Sequence, residues 1–278
     1  MTHEHIGFIG GGNMARSLVG GLIASGHPAD RITVSDPSAD AQARLAEFGG
    51  VRLVAENADV LAVADTVVLA VKPQVMRAVI EPLAPQLARR QPLLVSIAAG
   101  LSTRALERWA GAVPLVRCMP NTPALVGAGM SVLYATAAVP ASGRQRAEAL
   151  LSTAGAVRWV ASEALMDAVT AVSGSGPAYF FHLMECMIDA GVAQGLDPDT
   201  ARDLVLQTAF GAARMAQESG SDPATLRAQV TSRGGTTAAA LDVFRAGDLP
   251  GLVARAVAAA AARSAEMATE LEQEPRPS

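Results

Sequence analysis

Short, continuous apolar runs alternate through the first half of this chain with longer stretches whose apolar positions recur every three to four residues. The runs at 6–9, 31–35, 51–54, 66–71, 92–97 and 113–118 predict strands. Between them, 12–25, 37–48, 73–89 and 102–109 predict helices. In the first, Met14, Leu18, Gly21 and Leu22 share a face, and Ser102 stands at the N-cap of the last. Consecutive rather than alternating apolar positions predict strands buried on both faces. Strands alternating with helices, joined by right-handed crossovers, predict an α/β fold with a Rossmann-type doubly wound parallel sheet.

The pattern changes near residue 163. No convincing strand follows 157–160. Residues 164–191, 199–218, 223–230, 236–246 and 249–271 predict helices, punctuated by Gly195, Asp197-Pro198, Asp222-Pro223 and Gly247. The alanine-rich run at 256–262 is good helix and lets neighbouring helices approach closely. The expected division is an N-terminal domain at 1–162 and an all-α C-terminal domain at 163–278, with a polar tail from 270 that frays.

Composition narrows the function. The chain has 278 residues, 50% hydrophobic and 17% charged, enough apolar matter for one large or two medium cores. A net charge of −4 supplies no basic field for nucleic acid or an anionic membrane, so neither is expected as a partner. Two cysteines and four histidines show no metal-ligand spacing. The start runs straight into an apolar strand without a secretory signal, and the longest uncharged stretch is broken by prolines and glycines, so a cytoplasmic location is expected. Of 22 basic residues only Lys72 is a lysine.

Gly10-Gly11-Gly12-Asn13-Met14-Ala15 ends the first strand and opens a helix with the spacing G-x-G-x-x-A. Gly10 permits the tight turn, Gly12 lets backbone approach a pyrophosphate, and Ala15 lets helix and strand pack closely, which predicts dinucleotide binding. Asp36, at the end of the second strand, is placed to accept from ribose hydroxyls or to cap the helix after it. A carboxylate there repels a 2′-phosphate and favours NADH over NADPH. Lys72, with Ala70 and Pro73, ends the fourth strand, at the edge where such sheets bind ligands. Small residues at 96–100 and the Pro-framed Asn121-Thr122 crowd the same edge, the latter also readable as turn chemistry. Ser173-Gly174-Ser175-Gly176-Pro177 breaks a helix, either to bring backbone to a ligand or to let two helices cross tightly. At 231–237 a second Gly-rich loop feeds a helix N-terminus. Its free N–H groups suit a carboxylate or phosphate, with N-capping by Ser232 or Thr236 as the alternative.

At these residues the sequence resembles the pyrroline-5-carboxylate reductase family, from Gly7 to about Glu270. The resemblance rests on five blocks in order: 7–15, 70–73, 117–123, 173–179 and, most specific, 223–242. It implies reduction of the cyclic imine 1-pyrroline-5-carboxylate to L-proline, the last step of proline biosynthesis, with NADPH or NADH as cofactor. The cofactor site implied is Ile9, Gly10, Gly11, Gly12, Asn13, Met14, Ala15, Asp36, Asn57, Ala70, Lys72, Pro73 and Ala98. Ser173 and Ser175 are expected to contact the small-molecule substrate. The substrate carboxylate is expected on Ser232, Gly234, Gly235, Thr236 and Thr237, with the Thr237 hydroxyl on the ring nitrogen as the catalytic contact. Arg233 receives no role. Family likeness also implies a homo-oligomer, a dimer or a ring of dimers, with each active site between one subunit's cofactor domain and its partner's helices. Family members often carry Ser, Asn or Arg near the position of Asp36. A β-hydroxyacid dehydrogenase of similar build would need a catalytic lysine in its helical half, and this chain has none there. A nucleotide-sensing protein without turnover is the other competing reading.

Overall fold

The apolar runs form strands that hydrogen-bond side by side. In the computed structural model, which describes residues 4–273, these are β1 (Ile6–Ile9), β2 (Ile32–Ser35), β3 (Arg52–Val54), β4 (Thr66–Leu69), β5 (Leu93–Ser96), β6 (Leu115–Met119), β7 (Gly129–Ala135) and β8 (Gly155–Trp159). The extreme N-terminus and the end of the expected fraying tail lie outside the described residues. The sheet order is β3-β2-β1-β4-β5-β6-β7-β8. Its first six strands are parallel in the 3-2-1-4-5-6 order of dinucleotide-binding sheets, with register pairs such as Phe8 with Val34 and with Val68.

Helices α1 (Asn13–Ala24), α2 (Ala39–Ala46), α3 (Asn57–Val63), α4 (Pro73–Ile80), α5 (Ala84–Arg90) and α6 (Thr103–Ala110) fill the connections. Their apolar faces cover both sides of the sheet. Phe8, Val68, Val95 and Val116 point into one core, and their chain neighbours Ile9, Leu69, Leu94 and Leu115 into the other. Burying each such side chain contributes about 1.5–3 kcal/mol.

Two departures from the sequence reading have local causes. The helix expected over 73–89 is split by a 3₁₀ turn at Glu81–Leu83, because Pro82 lacks an N–H and its ring clashes with the preceding turn. Strand β7 runs antiparallel to β6, so the sheet is not parallel throughout. The chain between them is short and folds into the 3₁₀ turn Thr122–Val126, leaving no room for a crossover helix. Helix α7 (Ala141–Ser152) then carries the chain to β8, which pairs parallel to β7.

Beyond β8 come α8 (Met166–Val169), a π-helical turn (Thr170–Gly174), α9 (Gly176–Ala193), α10 (Pro198–Glu218), α11 (Pro223–Gln229), α12 (Thr236–Ala246) and α13 (Leu249–Gln273). The chain forms two compact units. One holds the sheet, runs to Ser175 and takes in the chain again from Ala260; the other is Gly176–Ala259. In the sheet unit, the end of α13 is tied by Ser264 Oγ donating to Asp167 Oδ1 at 2.7 Å.

The Gly176–Ala259 unit packs α9 along α10, yet buries only Gly176, Ala201 and Val205. Phe180, Phe181, Phe210 and Val243 are each more than half exposed. An apolar surface of this kind marks an interaction face, not the outside of a self-sufficient globule.

Candidate active site

Parallel strands leave their carbonyl ends along one edge, and the turns after β1, β2, β4 and β5 meet there. At Gly10 the turn requires glycine. Its φ is +99°, and a Cβ would sit 2.7 Å from the Ala70 carbonyl oxygen. Gly10 N–H donates to the Ser35 carbonyl at 2.8 Å, and Ala70 N–H to the Ile9 carbonyl at 2.8 Å, so the ends of β1, β2 and β4 are locked together. Gly12 is the N-cap of α1 and has no side chain to cap it, and a Cβ built there meets no protein atom within 4 Å. The first N–H groups of α1, from Asn13, Met14 and Ala15, are therefore left without a side-chain cap, while the Ala15 methyl is buried against the core. A pyrophosphate fits this turn: room where a side chain would be, free donors, and the positive end of a helix.

Asp36 has a second task that the sequence did not show. Its Oδ2 accepts from Gly11 N–H at 2.6 Å, and its Oδ1 from Ser38 N–H at 2.7 Å. The carboxylate thus pins the glycine turn to the end of β2. It does not cap α2; Ser38 does, accepting from Ala41 N–H. Each carboxylate oxygen keeps a lone pair for a ribose hydroxyl. Asn57 opens α3 beside it and accepts from Ser35 Oγ at 2.7 Å, which leaves its amide N–H groups available. Lys72 is the N-cap of α4, with Pro73 at the first helical position, and its exposed ammonium makes no ion pair among the described residues. Ala98, nearly buried, follows β5 with its N–H toward Ser96 Oγ.

The helix break at 173–177 is a π turn, closed by Ser175 N–H donating to the Thr170 carbonyl at 2.8 Å. Asn121 holds it. Its Nδ2 donates to the Ser173 carbonyl at 3.2 Å, while its Oδ1 accepts from Met130 N–H at 2.8 Å, joining the turn to β7. Ser175, Thr170, Ala99, Gly100 and Ser264 line a cavity of about 280 Å³ there. A larger concavity of about 500 Å³ lies by Glu4, Ile6, His27 and Arg146, at the amino end of β1. It sits at the edge opposite the strand carboxyl ends, so the chemistry belongs to the other edge.

A partly buried ion pair was not visible in the sequence either. Arg117 on β6 is almost fully buried and donates to Glu163 Oε1 at 2.8 Å, where Thr103 N–H also donates at 2.7 Å. Glu163 gives no local signal; only the fold brings it to the start of α6. Cys118 is no nucleophile: complete burial pushes its thiol up to about 12, against a weaker opposing hydrogen bond with Ser131.

In the Gly176–Ala259 unit, the loop before α12 turns at Gly234, φ +75°, and Gly235 N–H donates to the Ser232 carbonyl at 3.1 Å. Gly235 is the N-cap and has no side-chain cap, so neither Ser232 nor Thr236 plays that part. The N–H groups of Thr236, Thr237 and Ala238 stay free for an anion, and the half-buried Thr237 hydroxyl bonds no group among the described residues. Arg233 is exposed in the same loop. Among the described residues no cluster of ligating side chains suits a metal ion, and no helix is long and apolar enough to cross a membrane.

Known proteins share this arrangement. Residues 163–267 match the family profile described as pyrroline-5-carboxylate reductase dimerisation, and 5–100 match that described as NADP oxidoreductase, coenzyme F420-dependent. A pyrroline-5-carboxylate reductase of Pseudomonas aeruginosa is 53% identical, over 98% of this chain and 100% of its own length. The solved pyrroline-5-carboxylate reductase of Coxiella burnetii superposes with a TM-score of 0.92 at 42% identity, covering 96% of this chain and 99% of that one. That of Plasmodium falciparum, solved with NADP bound, superposes at 0.84 with 30% identity over 96% and 99%. With relatives this similar along nearly its whole length, the chain belongs to the pyrroline-5-carboxylate reductase family.

Proposed function

We propose that the chain catalyses its family's reaction, the NAD(P)H-dependent reduction of 1-pyrroline-5-carboxylate to L-proline, with the residues described above in the following roles. The observation that carries this reading is the pair of uncapped helix N-termini, at α1 and at α12, each preceded by a glycine turn and each with free N–H donors. One suits a pyrophosphate and the other a carboxylate, which are the two anionic groups the reaction brings together.

Ile9, Gly10, Gly11, Gly12, Asn13, Met14 and Ala15 form the turn that receives the pyrophosphate. Asp36 and Asn57 bind the adenosine ribose, and Ala70, Lys72, Pro73 and Ala98 line the path toward the nicotinamide. The dinucleotide, when bound, supplies the hydride. The loop of Ser232, Gly234, Gly235, Thr236 and Thr237 receives the substrate carboxylate on the free backbone N–H groups of Thr236 and Thr237, strengthened by the α12 dipole, which contributes about 0.3–2 kcal/mol. Ser173 and Ser175 contact the ring. The Thr237 hydroxyl hydrogen-bonds the ring nitrogen and fixes which face of the C=N bond is presented. A protonated imine is already electrophilic, so the protein's part is positioning and preorganised dipoles, not strong acid catalysis.

The fixed carboxylate of Asp36 favours NADH over NADPH. The exposed apolar side chains of Gly176–Ala259 support a homo-oligomer, a dimer or a ring of dimers, whose contacts cover Phe180, Phe210 and Val243. Two free cysteines, Cys118 and Cys186, suit a reducing cytoplasm. The test is to follow oxidation of NADH and of NADPH separately with pyrroline-5-carboxylate. Turnover supports the reading, and its absence with both removes the substrate.

A further inference from the structure

Lys72 carries the only side-chain amine in a chain with 21 arginines. Guanidinium groups stay protonated and do not attack carbonyl carbon at neutral pH, whereas an amine with an accessible lone pair does. The ammonium of Lys72 is exposed and bonds no group among the described residues. Its place in the fold is tightly determined. Leu69 is in register with Ile9, and the Ala70 carbonyl fills the space a Gly10 side chain would need. The chain then leaves the sheet, so Lys72 stands two residues beyond the closest approach of β4 to the glycine turn. On the other side of that approach lies the open space over Gly12. A phosphate-binding turn and a lone free amine therefore share one short stretch of the sheet edge.

We infer that Lys72 is a covalent modification site for phosphate-bearing aldehydes, which dock their phosphate where the cofactor's pyrophosphate belongs. This rests on the reading of the Gly10–Ala15 turn as the phosphate site. Deprotonated Lys72 Nζ attacks the aldehyde carbon and forms a carbinolamine. The carbinolamine loses water, made of the former carbonyl oxygen and two hydrogens, to leave an imine. No electrons change hands, and hydrolysis restores the free amine. While the imine stands, the phosphate turn is occupied and the cofactor is excluded, so the modification is inhibitory and reversible.

Pyridoxal 5′-phosphate is a suitable probe, fixed with borohydride and mapped by peptide mass on the full chain. The expected result is label on Lys72, loss of turnover in step with labelling, and protection by NADP⁺ or NAD⁺. Pyridoxal without the phosphate is expected to label Lys72 at least tenfold more slowly. Lys72→Arg is expected to abolish this label. Equal rates with pyridoxal and its phosphate, or no label on Lys72, overturn the proposal. NADPH fluorescence titration of unlabelled protein separates the two ideas. A cofactor that binds yet fails to protect Lys72 overturns the modification site and leaves the phosphate turn standing. A chain that takes up neither NADH nor NADPH removes both.

Discussion

Replacing Asp36 by serine tests the cofactor end of the site most sharply, because the carboxylate has two separable tasks. It holds Gly11 N–H at 2.6 Å and Ser38 N–H at 2.7 Å. Hydrogen bonds to a charged acceptor contribute about 1.5–3 kcal/mol each when shielded. Asp36 is half-buried and water can replace part of each bond, so Asp36→Ser is expected to cost about 1–2 kcal/mol of stability, a fall in Tm of about 2–4 °C. The second task appears only with cofactor. Two unit charges about 5 Å apart at an effective dielectric of about 20 repel by about 3 kcal/mol, and exposure reduces this to about 1–2 kcal/mol. Serine also loses an acceptor for the ribose hydroxyls. Together these terms should move the ratio of kcat/KM for NADH to that for NADPH by about 10–100-fold toward NADPH. Asp36→Asn, which keeps one acceptor oxygen and loses the charge, should fall between. The assay is initial-rate oxidation of each cofactor at fixed pyrroline-5-carboxylate, with Tm measured in parallel. A ratio unchanged within twofold, alongside the expected fall in Tm, would refute the electrostatic argument and leave Asp36 with only the task of pinning the turn.

Thr237→Ala should fold, bind cofactor in a fluorescence titration and lose at least 10²-fold in turnover; near-normal kcat would sink the role given to its hydroxyl. Glu163→Ala leaves Arg117 buried and unpaired, which should cost about 3–5 kcal/mol by denaturant unfolding, whereas a loss under 1 kcal/mol would show that water reaches the guanidinium. Burial raises the Cys118 thiol in the folded protein from 9.0 to about 12. Between those values the unfolded chain has lost a proton that the native state keeps. The Cys118 contribution to stability should therefore be flat below pH 9 and fall by about 1.4 kcal/mol per pH unit from there to about 12, and Cys118→Ala should remove that part of the slope. Phe210→Glu places a charge on the apolar face of α10 and should lower the mass seen by light scattering; an unchanged assembly would move the interface elsewhere.

The sheet was legible because strands buried on both faces must be written as unbroken apolar runs, and those of β1, β4 and β5 are. The glycine turn was legible because steric demand at Gly10 leaves one residue type. Strand β7 was not. Its return beside β6 is set by the 3₁₀ turn at Thr122–Val126, and such a turn has no hydrophobic period to read. The break at 173–177 could be located from its glycines and proline. Its π geometry could not, because Asn121 lies 52 residues away from the carbonyl it holds. The same holds for Glu163, which serves Arg117 and Thr103 from 46 and 60 residues' distance. For α2 the sequence offered Asp36 as the cap and for α12 Ser232 or Thr236, and only the backbone path decided that Ser38 caps one and nothing caps the other.

The sparse core of Gly176–Ala259 bears on how the chain is made. Residues up to Ser175 carry both large cores and leave the ribosome first, so most of the sheet unit has its apolar contacts before the helices emerge. The helical segment that follows has little to collapse around. In the proposed homo-oligomer it finds its shelter in another copy of itself, which would turn the last stage of maturation into an encounter between molecules. Dilute protein would then wait with its helices half-organised and sticky, and crowded synthesis on neighbouring ribosomes would shorten that wait.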